Sequence, residues 1–234
     1  TNATHAIKKM LRCRLRNGIT TREGSTMRFR HSIVWGWFFF SPVVWAGDID
    51  QLQSLGQSQF KAISEDLGGA LSYKAIAPAE PLGLTGFDLG VELTATKLEH
   101  SNFFASASSS GDFPATLILP KLHLHKGLPW DIDVGVSYSK APSTNISLLG
   151  AEIRYALISG GVALPAVAVR GTYSKLSGVD QLDFNTKGLE ITVSKGFAMI
   201  TPYAGVGRIW IDSTPDASTG LSSESPNMNR WYLG

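Results

Sequence analysis

Cysteine is nearly absent from this 234-residue chain: Cys13 is the only one. No disulfide can staple a domain, and no thiolate cluster is available for a metal. Long apolar runs are scarce too. Beyond residue 46 no stretch of about 18 residues is continuously apolar, so that region holds no transmembrane helix. Charged residues make up 17% of the chain, low for a surface bathed in water. The phosphate-cradling, dinucleotide, nucleophile-elbow and zinc-protease motifs are all missing. Ser137-Tyr138-Ser139-Lys140 fits S-x-x-K, but it falls on a predicted strand with Ser137 and Lys140 on opposite faces. No catalytic residue and no cofactor is expected.

One short apolar run is present. Residues 28–47, RFRHSIVWGWFFFSPVVWAG, have a basic start at Arg28, Arg30 and His31, an apolar core from Ile33 to Phe40, and Val44 and Ala46 as small residues before a cleavage point. This is the pattern of a secretory signal peptide, with cleavage expected between Ala46 and Gly47. Met27 is the expected start, and residues 1–26 read as an upstream extension without structure. Residues 1–46 carry Lys8, Lys9, Arg12, Arg14, Arg16, Arg22, Arg28 and Arg30 against Glu23, or +7. The whole chain is +2, so the remainder is 2 − 7 = −5. A basic nucleic-acid-binding surface is therefore not expected.

From residue 86 onward the period is two. Phe87, Leu89, Val91, Leu93 and Ala95 alternate with polar or small residues, and so do Trp130, Ile132, Val134, Val136 and Tyr138. Leu149, Ala151, Ile153, Tyr155 and Leu157 repeat the pattern, followed by Val167, Val169 and Tyr173, then Leu189, Ile191 and Val193. Such alternation puts one apolar and one polar face on each strand. The expected strands are 86–98, 116–125, 129–140, 146–158, 162–175, 184–195 and 199–212, with an eighth opening near 229. Aromatics fall at the ends of the apolar stripes: Phe87, Trp130, Tyr138, Tyr155, Tyr173 and Tyr203. Before the strands, in the N-terminal segment 47–85, Leu52, Leu55, Phe60, Ile63 and Leu67 recur at helical spacing. Gly68-Gly69 should end that amphipathic helix, and 70–77 should form a short strand.

A signal peptide, no later cysteine, serial amphipathic strands and aromatic ends together resemble a Gram-negative outer-membrane β-barrel protein. The resemblance is at the level of the class and covers 86–234. It implies an all-β, antiparallel, up-and-down transmembrane β-barrel of at least eight strands. It also implies residence in the outer membrane, with outer-membrane lipid and the outer-membrane assembly machinery as partners. Tight connections at 126–128, 159–161 and 196–198 would face the periplasm, and longer ones at 99–115, 141–145, 176–183 and 213–228 the exterior. Barrels of this class end on a strand with a C-terminal aromatic. Asn229 to Gly234 reads as a strand just beginning, so ten or twelve strands are expected in a longer chain.

The polar face carries charges of both signs. Glu92, Asp131, Glu152 and Glu190 share it with Lys121, Arg154, Arg170 and Arg208. Pairing Leu157 with Ala163 across the 159–161 turn places Glu152 diagonal to Arg170. His123 and His125 lie on the same face of one strand, a spacing that suits a metal. Pairing Leu124 with Trp130 sets His123 opposite Asp131 and Lys121 opposite Asp133, and charge pairing then accounts for the histidines without a metal. The expected function is a structural barrel or passive small-solute channel with a charge-paired lumen, not an enzyme. The alternatives are an outer-membrane lipid-modifying enzyme and a soluble periplasmic barrel that binds a hydrophobic ligand.

Overall fold

The computed structural model describes residues 47–142 and 144–234. The expected leader, 1–46, and its last residue Ala46 lie outside them. Eight strands form one antiparallel sheet in chain order: β1 (Phe87–Lys97), β2 (Thr116–Gly127), β3 (Ile132–Lys140), β4 (Ser147–Ser159), β5 (Ala166–Ser177), β6 (Leu182–Ser194), β7 (Tyr203–Pro215) and β8 (Asn227–Leu233). Each strand pairs with its neighbours in sequence, and among the described residues the sheet ends at β1 and β8. The fold is an all-β half-barrel. Helix α1 (Gln57–Leu71) precedes it and α2 (Ser101–Ser106) lies in the β1–β2 connection.

Alternation decides the two faces. Leu89, Val91, Val136, Leu149, Ile153, Leu157, Leu189 and Val206 all point outward and are 49% or more exposed. Glu92, Lys121, His123, His125, Glu152, Arg154, Arg170 and Glu190 point inward and are almost wholly buried. The interior is filled by the chain itself. Phe60, Ile63, Leu67 and Leu71 lie at intervals of three or four along one side of α1 and are fully buried. They join Leu117, Leu119, Leu148, Phe184, Ile209 and Ile211 from the sheet in one apolar cluster. Each such side chain contributes about 1.5–3 kcal/mol on burial.

The helix begins where Gln59 Oε1 accepts the Gly56 N–H at 2.8 Å. It does not stop at Gly68-Gly69 as the sequence suggested, but runs to Leu71. Gly68 has a packing role instead: a Cβ there would overlap the Ile211 side chain on β7. The strand expected at 70–77 does not form. Residues 72–86 run without regular structure, with 72–79 inside the concave face and Glu80, Leu84 and Thr85 exposed.

Two registers differ from expectation. Leu124 pairs with Val136, not Trp130, so His123 faces Ser137 and Lys121 faces Ser139. The cause is the β2–β3 turn, where Trp130 and Asp131 both take left-handed φ, 62° and 58°, and lie outside the ladder. On the next hairpin Glu152 pairs with Thr172, with a bulge between Ala156 and Ile158. The connections also differ in length: β5–β6 is tight at 178–181, whereas β6–β7 spans 195–202. The contrast between short and long ends is therefore weaker than the sequence implied.

Candidate functional site

The concave wall holds three neighbouring groups of ion pairs. At one side, Glu92 on β1 meets Lys121 Nζ at 3.2 Å and His123 Nδ1 at 2.6 Å, and His123 Nε2 lies 3.6 Å from Asp88. On β4, Glu152 receives His125 Nε2 at 3.3 Å on one oxygen and Arg170 Nε at 3.3 Å on the other. Arg170 continues to Glu190 on β6 at 3.8 Å, and Glu190 pairs with Arg230 on β8. The third group joins Asp133 on β3 to Arg154 on β4 at 2.5 Å.

The cations have a further task. Segment 72–86 brings backbone carbonyls into the interior with no strand to satisfy them, a costly situation unless donors are supplied. Arg230 donates to Tyr73 O at 2.7 Å, Lys121 to Lys74 O at 3.3 Å, Arg170 to Ala77 O at 2.9 Å and Arg154 to Pro78 O at 2.6 Å. Asp133 in turn accepts the Leu82 N–H at 3.1 Å. The buried side chains thus act as a rack for an irregular peptide. Pro78 and Pro81 suit it, because neither has an N–H that needs a partner.

Two groups on that peptide have displaced pKa values. Burial, then the Glu152 carboxylate, pushes the Tyr73 phenol above its ordinary range, so it stays protonated 3.0 Å from His125 Nε2. Burial, then Arg230 and Lys121, pulls Lys74 down to about 7. A cavity of about 20 Å³ lies beside these residues, lined in part by Tyr73, Lys74, Leu119, Lys121, Leu148 and Ser174. It is the size of a water molecule, far below the roughly 300–1,000 Å³ of a ligand pocket.

Of the charges read from the sequence, Glu92, Lys121, Glu152, Arg154, Arg170 and Glu190 come together on this wall. Asp131 and Arg208 do not. Asp131 lies exposed in the β2–β3 turn, where its Oδ2 accepts the Ser159 hydroxyl at 2.8 Å. Asp133 takes the inward place. Arg208 lies exposed on the convex face opposite Leu189 and Asn229 and donates to Asn227 at 2.5 Å. Tyr203, expected among the outer aromatics, is buried on the concave side. Both errors share a cause: β7 is apolar on its two faces, because Ile209 and Ile211 serve the core under α1, so alternation gave the wrong phase. Tyr73, Asp88, Asp133 and Arg230 complete these groups. The inward phase of Asp88, Asp133 and Arg230 could have marked three of them in advance; Tyr73 lies on a segment with no such period.

No protein-family model matches this chain, and no curated protein or solved structure shows significant similarity to it.

Proposed function

We propose that this half-barrel is the wall of an outer-membrane β-barrel whose convex face meets lipid and whose lumen is plugged by its own N-terminal segment. The observation that carries the reading is the convex face. Exposed Leu, Val and Ile from β1 to β6 form a band, with Phe87, Trp130 and Tyr155 toward one end and Tyr138, Tyr173 and Trp210 toward the other. Water-soluble monomers rarely expose a contiguous apolar surface of this kind, and aromatic girdles flank the lipid-facing band of outer-membrane barrels. Strand lengths of 11–13 residues for β1, β2 and β4–β7 suffice for tilted crossings, which need about 9–11.

The role that fits is structural, or passive passage of small solutes at most, without catalysis. Leader-dependent export and contact with the outer-membrane assembly machinery belong to the same proposal. The interior favours a closed lumen: α1 fills one end, and hydrogen bonds from Lys121, Arg154, Arg170 and Arg230 to backbone carbonyls tie residues 73–78 across the middle. The same filling disfavours a soluble barrel that carries a hydrophobic ligand. The test is expression with the leader in a Gram-negative host, followed by fractionation and bilayer recording. The protein should leave the outer-membrane fraction only with detergent and conduct little. Deleting 57–85 should open a conductance. Recovery in the soluble periplasm without detergent would contradict the reading.

A further inference from the structure

We propose that Asp88, His123 and His125 form a binding site for a divalent transition metal ion such as Zn2+. The site stands apart from the lipid question, since it uses only the concave wall. One ligand atom from each residue lies within 4.8 Å of the other two. Two imidazoles and a carboxylate are a common zinc donor set, which leaves a fourth position for water.

The surroundings resemble the support that a metal-binding histidine needs. A ligating imidazole donates its other ring N–H to a carboxylate or carbonyl, which fixes the tautomer and the ring plane. His123 Nδ1 lies 2.6 Å from Glu92, an ion-pair distance outside hydrogen-bond geometry, and His123 Nε2 lies 3.6 Å from Asp88. His125 Nε2 lies 3.3 Å from Glu152 and 3.0 Å from the Tyr73 hydroxyl. With the proton on Nε2, His125 Nδ1 carries the lone pair, and it is buried with no hydrogen-bond partner. Charge pairing explains His123 between two carboxylates. It does not explain that second nitrogen, whereas a metal ion does.

Space has been cleared for both rings. Gly90 and Gly135 are the register partners of His123 and His125. A Cβ on Gly90 would approach His123 Cε1 to 2.6 Å, and one on Gly135 would overlap His125. Zinc bonds of about 2.0–2.2 Å set tetrahedral ligand atoms about 3.3–3.6 Å apart. The Asp88–His123 contact already has that spacing. The Asp88 side chain is 34% exposed, so it has room to close on the ion.

The experiment uses the full chain, without a histidine tag, refolded and stripped with a chelator. Zn2+ is titrated against a chromogenic chelator, and Co2+ is added separately for its visible spectrum. One high-affinity Zn2+ per chain is expected, with a Co2+ spectrum of four- or five-coordinate intensity. Asp88→Asn and His125→Gln should each weaken Zn2+ at least tenfold, while His100→Gln should leave it unchanged. Asp88→Asn keeps both rings in place, so it decides the matter even where His125→Gln fails to fold. Absence of binding tighter than about 1 mM, a six-coordinate Co2+ spectrum, or unchanged affinity in Asp88→Asn would overturn the site.

Discussion

Arg170 Nε lies 3.3 Å from Glu152 Oε2 although the two residues are not register partners: Glu152 faces Thr172, and Arg170 faces Arg154. The pair is a diagonal across β4 and β5, and both side chains are fully enclosed. Two adjacent arginines, 154 and 170, would repel each other at such a position. Each is instead drawn toward its own carboxylate, Asp133 and Glu152.

The first prediction concerns that diagonal. Removing one partner of a buried pair leaves an uncompensated charge and costs about 3–5 kcal/mol. Glu152→Ala and Arg170→Ala should each destabilise strongly, and the double variant should cost less than the two singles added together. A double-mutant cycle by denaturant unfolding of the refolded protein measures the coupling. Strict additivity would mean that water screens the pair, as in an open pore.

The second concerns Gly68 and Gly69, neighbours on α1. Replacing a helical glycine by alanine ordinarily stabilises by about 0.5–1 kcal/mol. Gly69→Ala should do so, because a Cβ there meets nothing within 4 Å. Gly68→Ala should do the reverse, costing about 1–3 kcal/mol, because the new methyl drives the helix off Ile211. Thermal melts of the two variants side by side check the sign.

The third is a pH dependence. Lys74 has a pKa of about 7 in the folded protein against 10.5 for the ordinary side chain. Between those values the unfolded chain binds the extra proton, so this residue makes stability rise as pH increases from about 7 to 10.5. Below pH 7 both states are protonated and its contribution is flat. Lys74→Met should remove that part of the slope, which unfolding curves of the two proteins across the range would reveal. An identical slope in the variant would contradict the burial of this ammonium.

Much of this architecture was legible as alternation. The faces of β1, β3, β4, β5 and β6 followed from the apolar residues at every second position, and five inward charges, Glu92, Glu152, Arg154, Arg170 and Glu190, followed with them. Register was not legible, because it depended on Trp130 and Asp131 adopting left-handed backbone, which neither side chain advertises. The phase of β7 was hidden for a different reason. Its inner face is apolar where α1 lies on it, so the contrast between Arg208 and Ile209 pointed to the wrong face: the arginine is outside and the isoleucine inside. Tyr73 and Lys74 were hidden because their segment has no period at all: its conformation is imposed by the arginines around it.

Arg208 supplies the fourth prediction. It stands on the convex face between Val206 and Trp210, with Asn229 as its register partner. An arginine near the bilayer midplane costs about 2–4 kcal/mol. If this flank of the sheet meets lipid, Arg208→Leu should raise stability in bilayers while changing it little in mild detergent. No gain in bilayers would mean that protein or water, not lipid, covers the β7–β8 side.

The most direct measurement is made on Val136, in the centre of the apolar band and 53% exposed. Val136→Arg is compared with Ser137→Ala, its buried neighbour on the opposite face, by reversible folding into lipid vesicles. A lipid-facing convex surface predicts a loss of about 2–4 kcal/mol for Val136→Arg. Ser137→Ala, which deletes one hydroxyl, should cost about 1 kcal/mol or less. If the convex face is bathed in water instead, Val136→Arg is an ordinary surface substitution and should fall within about 0.5 kcal/mol of the parent. That result would contradict the membrane reading.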